Sequence, residues 1–504
     1  MAITFVVKIF GFVEKLVLAY FFGTGYELDS YIVAFSVPFA IFIIIREIIE
    51  PSFLPTFMKI RNTSGEAESW RLYNITSSIL IILLLAVIVA GLTAAPQLVQ
   101  VIAPGFKGIQ KEKTILLVRI MIPACIFLGL STVSYITLNA YKRFALPASG
   151  DVFFKVVPML ALGLFHRVAG VTALALGVVA GAFSRLAIHG FGLRRKMRML
   201  SFDLGVRYPP VRDMSKLMAP LVLGVAFSQL SLIIDNIFAS MLETGSIAAL
   251  SFARRLVEMP VVVLPYALGI VIFPFFTELA IAKNMERSSR MLVQTIKITM
   301  LVFVPLAVGM AVLRTPIVRL LFERGAFDAY STHLTSSAVM YYAIGLVAFA
   351  VETVLVQFYF STSDTRTPIF VGILCVLLNI LLTFMLIKVM KHNGIAAALS
   401  ISKTVKVAVL YLILKRRLGG DIFNEPVGLL AKTAVSGIFA GVSAYFSLVG
   451  LELFVEKSVA GDIAIILSSF SIGTIIFVAS GLMMRVKEYR TYYGFVKSRI
   501  RDLF

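Results

Sequence analysis

Charge is scarce in this chain. Only 15% of its 504 residues are Asp, Glu, Lys or Arg, while 59% are apolar; a soluble domain carries about 25% charged residues. An aqueous core cannot hide that much apolar surface, which excludes a soluble globular protein and leaves lipid as the solvent. Cysteine is almost missing. Cys125 and Cys375 sit alone in apolar runs, with no CxxC or Cys/His neighbourhood. That excludes a disulfide framework and a thiolate metal site, and both are read as packing residues. Histidine is rare, and His166, His189, His333 and His392 all stand near the ends of apolar runs, where an interfacial place is expected. No P-loop, HExxH or GxSxG is present, so neither bound ATP nor a catalytic centre is expected. A cleavable signal peptide is lacking too. The first apolar stretch contains Lys8, Glu14 and Lys15 and has no small-residue cleavage site, so it reads as a transmembrane helix.

What the chain has is apolar runs long enough to cross a bilayer. A hydrocarbon core of about 30 Å needs about 20 apolar residues per helix. Fourteen spans are predicted, at 2–22, 29–57, 74–102, 114–141, 150–166, 169–193, 214–241, 247–282, 291–313, 331–361, 367–390, 394–415, 428–453 and 460–484. They are too long and continuous for barrel strands, so an all-α polytopic membrane protein is expected. Lys and Arg crowd into alternate loops: 59–71, 142–143, 194–216, 283–290, 366, 415–417 and the tail after 485, whereas 23–28 and 242–246 hold none. This asymmetry places the basic loops and both termini in the cytoplasm. The net charge of +20 is therefore topological and calls for no nucleic acid.

The basic segment 194–213, with Pro209-Pro210, reads as a linker. The expected layout is an N-terminal lobe of six helices over 1–193, the linker, a second six-helix lobe over 214–416, two further helices over 417–484 and a basic tail over 485–504. The lobes share a pattern. Thr24-Gly25 precedes Phe53-Leu54-Pro55, and Thr244-Gly245 precedes Ile272-Phe273-Pro274. The glycine-to-proline spacings are 30 (55 − 25) and 29 (274 − 245). An even number of helices separates the copies, so a parallel repeat about a pseudo-two-fold along the membrane normal is expected. Transporters built this way bind substrate between their halves.

Ionisable groups inside the spans cost at least about 2.5–3.5 kcal/mol at mid-bilayer and so face a cavity or a partner. They include Lys8, Glu14, Lys15, Asp29, Arg46, Glu47, Glu50 and Lys155 in the first half. Asp235, Arg254, Arg255, Glu258, Glu352, Lys403 and Lys406 are among those in the second. Arg46/Glu50 and Arg254/Glu258 have the i, i+4 spacing of local ion pairs. Arg255 has no acid four residues away and reads as the better candidate for a free cation. Lys403 and Lys406 are expected to snorkel to the interface. The cations gather in the first, second and eighth spans, where a shared cavity would receive an anion. Guanidinium groups suit phosphate, offering forked donors that stay ionised.

Several blocks resemble one family. Phe22-Gly23-Thr24-Gly25, Leu28-Asp29-Ser30-Tyr31, Asp235-Asn236-Ile237-Phe238-Ala239-Ser240, Ala253-Arg254-Arg255-Leu256-Val257-Glu258-Met259-Pro260, Phe322-Glu323-Arg324-Gly325-Ala326-Phe327 and Thr365-Arg366-Thr367-Pro368 are similar to the MurJ (MviN) lipid II flippases. These belong to the multidrug/oligosaccharidyl-lipid/polysaccharide exporter superfamily. The resemblance implies two lobes around a cationic cavity, with the last two helices forming a lipid-facing groove. It implies outward flipping of an undecaprenyl-pyrophosphate-linked peptidoglycan precursor by alternating access in the bacterial cytoplasmic membrane.

It also implies site residues. The family's arginine of the eighth helix falls on Arg255. Its two first-helix arginines fall on Lys8 and Glu14, the latter a reversal beside Lys15. The second-helix arginine falls on Phe42, with Arg46 one turn on; the second-helix glutamate falls on Glu47, and the gate-loop aspartate on Asp29. The cation cavity is thus Lys8, Lys15, Arg46 and Arg255, with Glu14, Asp29, Glu47 and Glu258 as gate or charge partners. Asp235 and Asn379 match two positions of the family's sodium site, while Thr383 and Ile401 stand where further oxygen ligands belong. A monovalent cation, Na+ or H+, is the expected coupling ion, with no other cofactor and no metal centre. The expected partners are the lipid-linked anionic substrate, bilayer lipids and other cell-wall synthesis proteins, around a monomer. The alternatives are a flippase for another lipid-linked oligosaccharide, a drug/cation antiporter, which would need an acid-lined aromatic cavity, and a membrane scaffold recruiting enzymes through its basic tail.

Overall fold

In this computed structural model the backbone is described for residues 2–282, 284–419, 421–456, 458–486 and 488–489. The side chains of 2–6, 8, 220, 223, 226–228, 231–232, 264–271 and 421 are outside the description. Lys8 is therefore placed only by its backbone, and Lys283, Lys487 and the tail from 490 lie outside the described residues.

The described chain is helical, with no strand. Contacts divide it into residues 1–248 and 249–504. The first unit holds α1 (Ala2–Phe22), α2 (Tyr26–Thr63), α3 (Glu66–Thr93), α4 (Ala95–Ile102), α5 (Gly108–Met121), α6 (Ala124–Ala140), α7 (Ala145–Ala169), α8 (Val171–Leu193) and α9 (Pro209–Ser240). Then come α10 (Ser246–Ile281), whose first residues belong to the first unit, α11 (Met285–Val312), α12 (Arg314–Phe322), α13 (Ala329–Ser361), α14 (Arg366–Met390), α15 (His392–Leu418), α16 (Glu425–Phe454) and α17 (Val459–Met483). Among the described residues, 11 helical segments are long and apolar enough to cross a membrane. Helices α1, α9 and α10, of 21, 32 and 36 residues, occupy the other three expected places.

Several predicted boundaries move. The third predicted span divides into α3 and the short α4, and the fourth into α5 and α6 around Pro123. The break expected at His166-Arg167 falls at Gly170, which has φ +51°.

The repeat is written in the turns. Gly170, between α7 and α8, has φ 51°, ψ −131°, and its N–H reaches the His166 carbonyl at 2.8 Å. Lys391, between α14 and α15, has φ 50°, ψ −133°, and reaches Ile387 at 3.0 Å. Lys142 (φ 58°) and Ser363 (φ 62°) make a second matched pair. In that turn the Arg143 N–H bonds the Leu138 carbonyl at 3.0 Å, and the Asp364 N–H bonds Tyr359 at 2.9 Å. Both pairs are 221 residues apart (391 − 170, 363 − 142). The order long helix, short helix, loop, helix recurs as α3–α4 and α11–α12.

The linker does not hang free. Lys196 Nζ donates to Glu66 Oε2 at 2.7 Å, and Asn74 Nδ2 donates to the Met199 carbonyl at 2.7 Å. The Asp203 N–H donates to Ser78 Oγ at 3.1 Å, and the Tyr208 hydroxyl donates to Glu68 at 2.7 Å. Segment 194–208 is thus strapped along the N-terminal half of α3 and caps an aromatic core of Phe53, Phe57, Trp70 and Tyr73.

Candidate functional site

Asp29 begins the site. It sits in the first turn of α2, and its carboxylate is 2% exposed. Oδ2 accepts the Gly245 N–H at 2.6 Å and Oδ1 accepts the Ala248 N–H at 2.8 Å. Both donors are orphan amides at the start of α10, where helix geometry leaves N–H groups without intrahelical partners and a carboxylate is favoured. Gly245 has φ +92°, and a Cβ there would lie 2.2 Å from the Thr24 carbonyl oxygen. The two Thr-Gly turns of the sequence repeat therefore meet backbone to backbone, locked by Asp29.

Deeper in the first unit the charges are paired. Lys155 of α7 donates to Glu14 of α1 at 2.7 Å, so the acid at the position where the resemblance implied an arginine has its own cation. One turn before Lys155 on the same face, Asp151 accepts from Arg185 Nε of α8 at 2.8 Å. Arg185 is 1% exposed; its Nη1 meets Ser131 Oγ of α6 at 2.5 Å, and its guanidinium lies 5.0 Å from the centre of the Phe42 ring. Arg46 pairs with Glu50 at 3.4 Å and lies 5.2 Å from the centre of the Tyr135 ring. At Phe42, where the resemblance implied an arginine, the Arg185 guanidinium lies over the ring. Lys15 is half-buried and engaged by a partner, and Glu47 is exposed on α2 beside Arg46.

In the second unit Arg254 Nε donates to Glu258 Oε1 at 2.8 Å, as the i, i+4 spacing predicts. Arg255 is half-buried and engaged, which corrects its reading as a free cation. Asp235, half-buried on α9 in the first unit, is engaged as well, and Asn379 is 2% exposed on α14 in the second. Thr383 is fully buried, whereas Ile401 is 43% exposed. Lys403 and Lys406 do not snorkel. Both reach Glu352 of α13, Lys403 at 2.8 Å and Lys406 at 2.6 Å. The nearby carboxylate beats a stretched path to water, because an unpaired buried acid would cost more.

Two of the histidines are held by protein partners. His189 is fully buried, with Nδ1 2.9 Å from the Ser131 carbonyl oxygen, and His392 is 5% exposed, with Nε2 3.0 Å from Ser337 Oγ. Both cysteines are buried. Among the described residues no group of three His, Cys, Asp or Glu side chains is placed to hold a metal ion.

Sequence reasoning missed Asp151 and Arg185. Arg185 has no acid within a turn, and the nearest cation to Asp151 in sequence is Lys155, so only the fold brings Arg185 and Asp151 together. The available signal was Arg185 itself, a guanidinium inside an apolar run with His189 one turn on.

Repeated bundles of membrane-length helices with an ion-paired polar interior are the architecture of a multi-pass transporter. A solved structure of a lipid II flippase MurJ in an inward closed conformation has the same fold, with a TM-score of 0.80 at 21% identity over 98% of this chain and 99% of that one. The chain belongs to the lipid II flippase MurJ family, whose model matches residues 18–468. Its relatives include the lipid II flippase MurJ of Burkholderia cenocepacia, 27% identical over 82% of each chain. The probable lipid II flippase MurJ of Rickettsia prowazekii is 25% identical over 97% of each.

Proposed function

We propose that this protein is a flippase that carries lipid II, the undecaprenyl-pyrophosphate-linked peptidoglycan precursor, from the cytoplasmic to the outer leaflet of the bacterial cytoplasmic membrane. The observation that carries the reading is membership of the family across residues 18–468. The site supports it chemically. A pyrophosphate headgroup must leave water, and buried cations already matched to carboxylates can exchange that partner for phosphate oxygens without ever standing bare. Arg46 and Arg185 offer forked donors for that exchange. Asp29, clasping Gly245 and Ala248, is the gate: opening the 23–28 turn away from 242–248 breaks both of its bonds.

The reaction makes and breaks no covalent bond. With both termini cytoplasmic and the cell interior negative, the membrane potential pulls the anionic headgroup outward by about 2.3 kcal/mol per charge per 100 mV. Na+ or H+ is the coupling ion, with Asp235 of the first unit as a candidate ligand. The protein acts as a monomer in alternating access.

The test is complementation of a flippase-depleted bacterium. Wild type should restore growth, and Asp29→Ala and Arg255→Ala should fail at normal membrane abundance. Failure of the wild type at normal abundance contradicts the reading, and full rescue by either variant removes that residue's role.

A further inference from the structure

The matched turns fix a register of 221 residues between the later helices of the two units, and this register superimposes two buried charge clusters. Arg185 of α8 corresponds to Lys406 of α15 (406 − 185 = 221), and Ser131 of α6 to Glu352 of α13 (352 − 131 = 221). Asp151 of α7 corresponds to Gly372 of α14 (372 − 151 = 221).

The contacts repeat with the positions. Arg185 Nη1 meets Ser131 Oγ at 2.5 Å and Nε meets Asp151 at 2.8 Å. Lys406 Nζ meets Glu352 Oε1 at 2.6 Å and lies 3.6 Å from where a Cβ on Gly372 would stand. In both units the last helix of the repeat carries a buried cation. Its acid has moved from α7 in one copy to α13, the counterpart of α6, in the other.

One residue breaks the balance. Lys403, whose counterpart is the fully buried Ala182 (403 − 182 = 221), adds a second ammonium, bonded to both oxygens of Glu352 at 3.0 and 2.8 Å. The first unit bonds its cation to one acid, and the nearby Arg46 has its own acid in Glu50. The second carries two ammonium groups on one carboxylate, and the carboxylate and Lys406 side chains are only 13% and 15% exposed. Lys403 keeps 32% of its side chain exposed, so the surplus charge is the accessible one. An interior that can be neutralised by one cation and one acid has no structural need for the third group.

We infer that the Glu352–Lys403–Lys406 triad of the second unit is an anion-binding site for a phosphate group. Lys403 is the mobile donor, leaving Glu352 to Lys406 when the phosphate arrives. The site is separate from the arginines and gate that the family likeness points to. It stands on the repeat and the ion pairs, so a binding measurement tests it without translocation.

The test uses the full chain in phosphatidylcholine nanodiscs, titrated with inorganic pyrophosphate in chloride-free buffer while the thermal unfolding midpoint is followed. Wild type should be stabilised in a saturable way. Lys403→Ala, which installs the first unit's own residue, should fold with an unchanged or higher midpoint and need at least tenfold more pyrophosphate. Lys403→Arg should respond like wild type. In a second arm, phosphatidylglycerol nanodiscs without pyrophosphate, a Lys403-dependent rise assigns the phosphate to a lipid headgroup; a rise confined to pyrophosphate assigns it to a diphosphate. If Lys403→Ala does not fold, acylation of Lys403 in wild type by an amine-reactive reagent gives the same answer. Protection by pyrophosphate or phosphatidylglycerol supports the site, and equal labelling overturns it. Equal responses of wild type and Lys403→Ala in both arms, or no response from wild type in either, also overturn it.

Discussion

At the scale of single residues, the structure depends on ion pairs between helices. The Lys155–Glu14 pair is largely buried, with side-chain exposures of 25% and 13%. Breaking a fully buried pair by removing one partner costs about 3–5 kcal/mol, because a bare charge remains. Lys155→Met should destabilise the protein by about 2–3 kcal/mol, somewhat below that range because the lysine keeps some contact with water. Adding Glu14→Gln should recover most of the loss, and a double-mutant cycle of unfolding in detergent measures it. Simple additivity would show that the two charges do not interact.

Gly245 makes a steric prediction. Gly245→Ala puts a methyl group against the Thr24 backbone and forces φ +92° on a side-chain-bearing residue. Unfolding should become easier by more than about 2 kcal/mol, and a change below about 0.5 kcal/mol would refute the close approach of the two turns.

Asp328 makes a pH prediction outside the spans. It caps α13, accepting the Ser331 N–H at 2.8 Å, and that backbone donor holds its carboxyl below the usual carboxylate range. A group whose charged form is favoured by folding stabilises above its unfolded pKa, about 3.9, and loses that contribution as pH falls through the lower folded value. The stability gap between wild type and Asp328→Ala should be about 1 kcal/mol at pH 7 and should narrow below about pH 4. A gap that does not change with pH between 7 and 3 would contradict the capping account.

At the scale of elements, α7 and α8 form a tight hairpin because small residues let their backbones approach. A Cβ on Gly177 would lie 2.7 Å from Pro158 Cα and 2.8 Å from Ala161 Cβ. Gly177→Leu should therefore force the hairpin apart and lower the thermal unfolding midpoint. Gly163→Leu, where a Cβ meets nothing within 4 Å, should leave it within error. Equal effects would mean the helices are not closely packed at Gly177. The α16–α17 pair is clasped to the second unit at both ends. Lys297 of α11 takes Glu425 and Glu488, each at 2.6 Å, and Arg319 of α12 makes a forked pair with Asp462.

The elements themselves were legible from apolar length alone, since the bilayer demands helices of a set size. The short helices α4 and α12 were not, because they merely continue the apolar runs of α3 and α11 with a bend at Ala94 and Leu313. The matched turns were hidden as well: Lys142, Ser363 and Lys391 adopt positive φ without the glycine that signals it. Pairings were legible only where they are local. Arg254–Glu258 could be read from spacing, but Lys155–Glu14 joins residues 141 apart, and no sequence period encodes that. The contacts of the basic segment could not be read from its own residues, because its partners belong to α3.

At the scale of the whole molecule, the function asks for a path by which a multiply charged headgroup crosses hydrocarbon while its prenyl tail stays in lipid. The interior answers with charges that are already solvated by one another, so that each step is an exchange of partners.

The most direct measurement is translocation in proteoliposomes. Purified protein is reconstituted with lipid II bearing a fluorophore on its headgroup, and the label facing outward is quenched by a membrane-impermeant reductant. With a potential imposed, the protein should expose lipid II from the inner leaflet well above the rate in protein-free vesicles, and an Asp29→Ala sample reconstituted in equal amount should stay near the protein-free rate. Equal rates with and without wild-type protein would contradict the account.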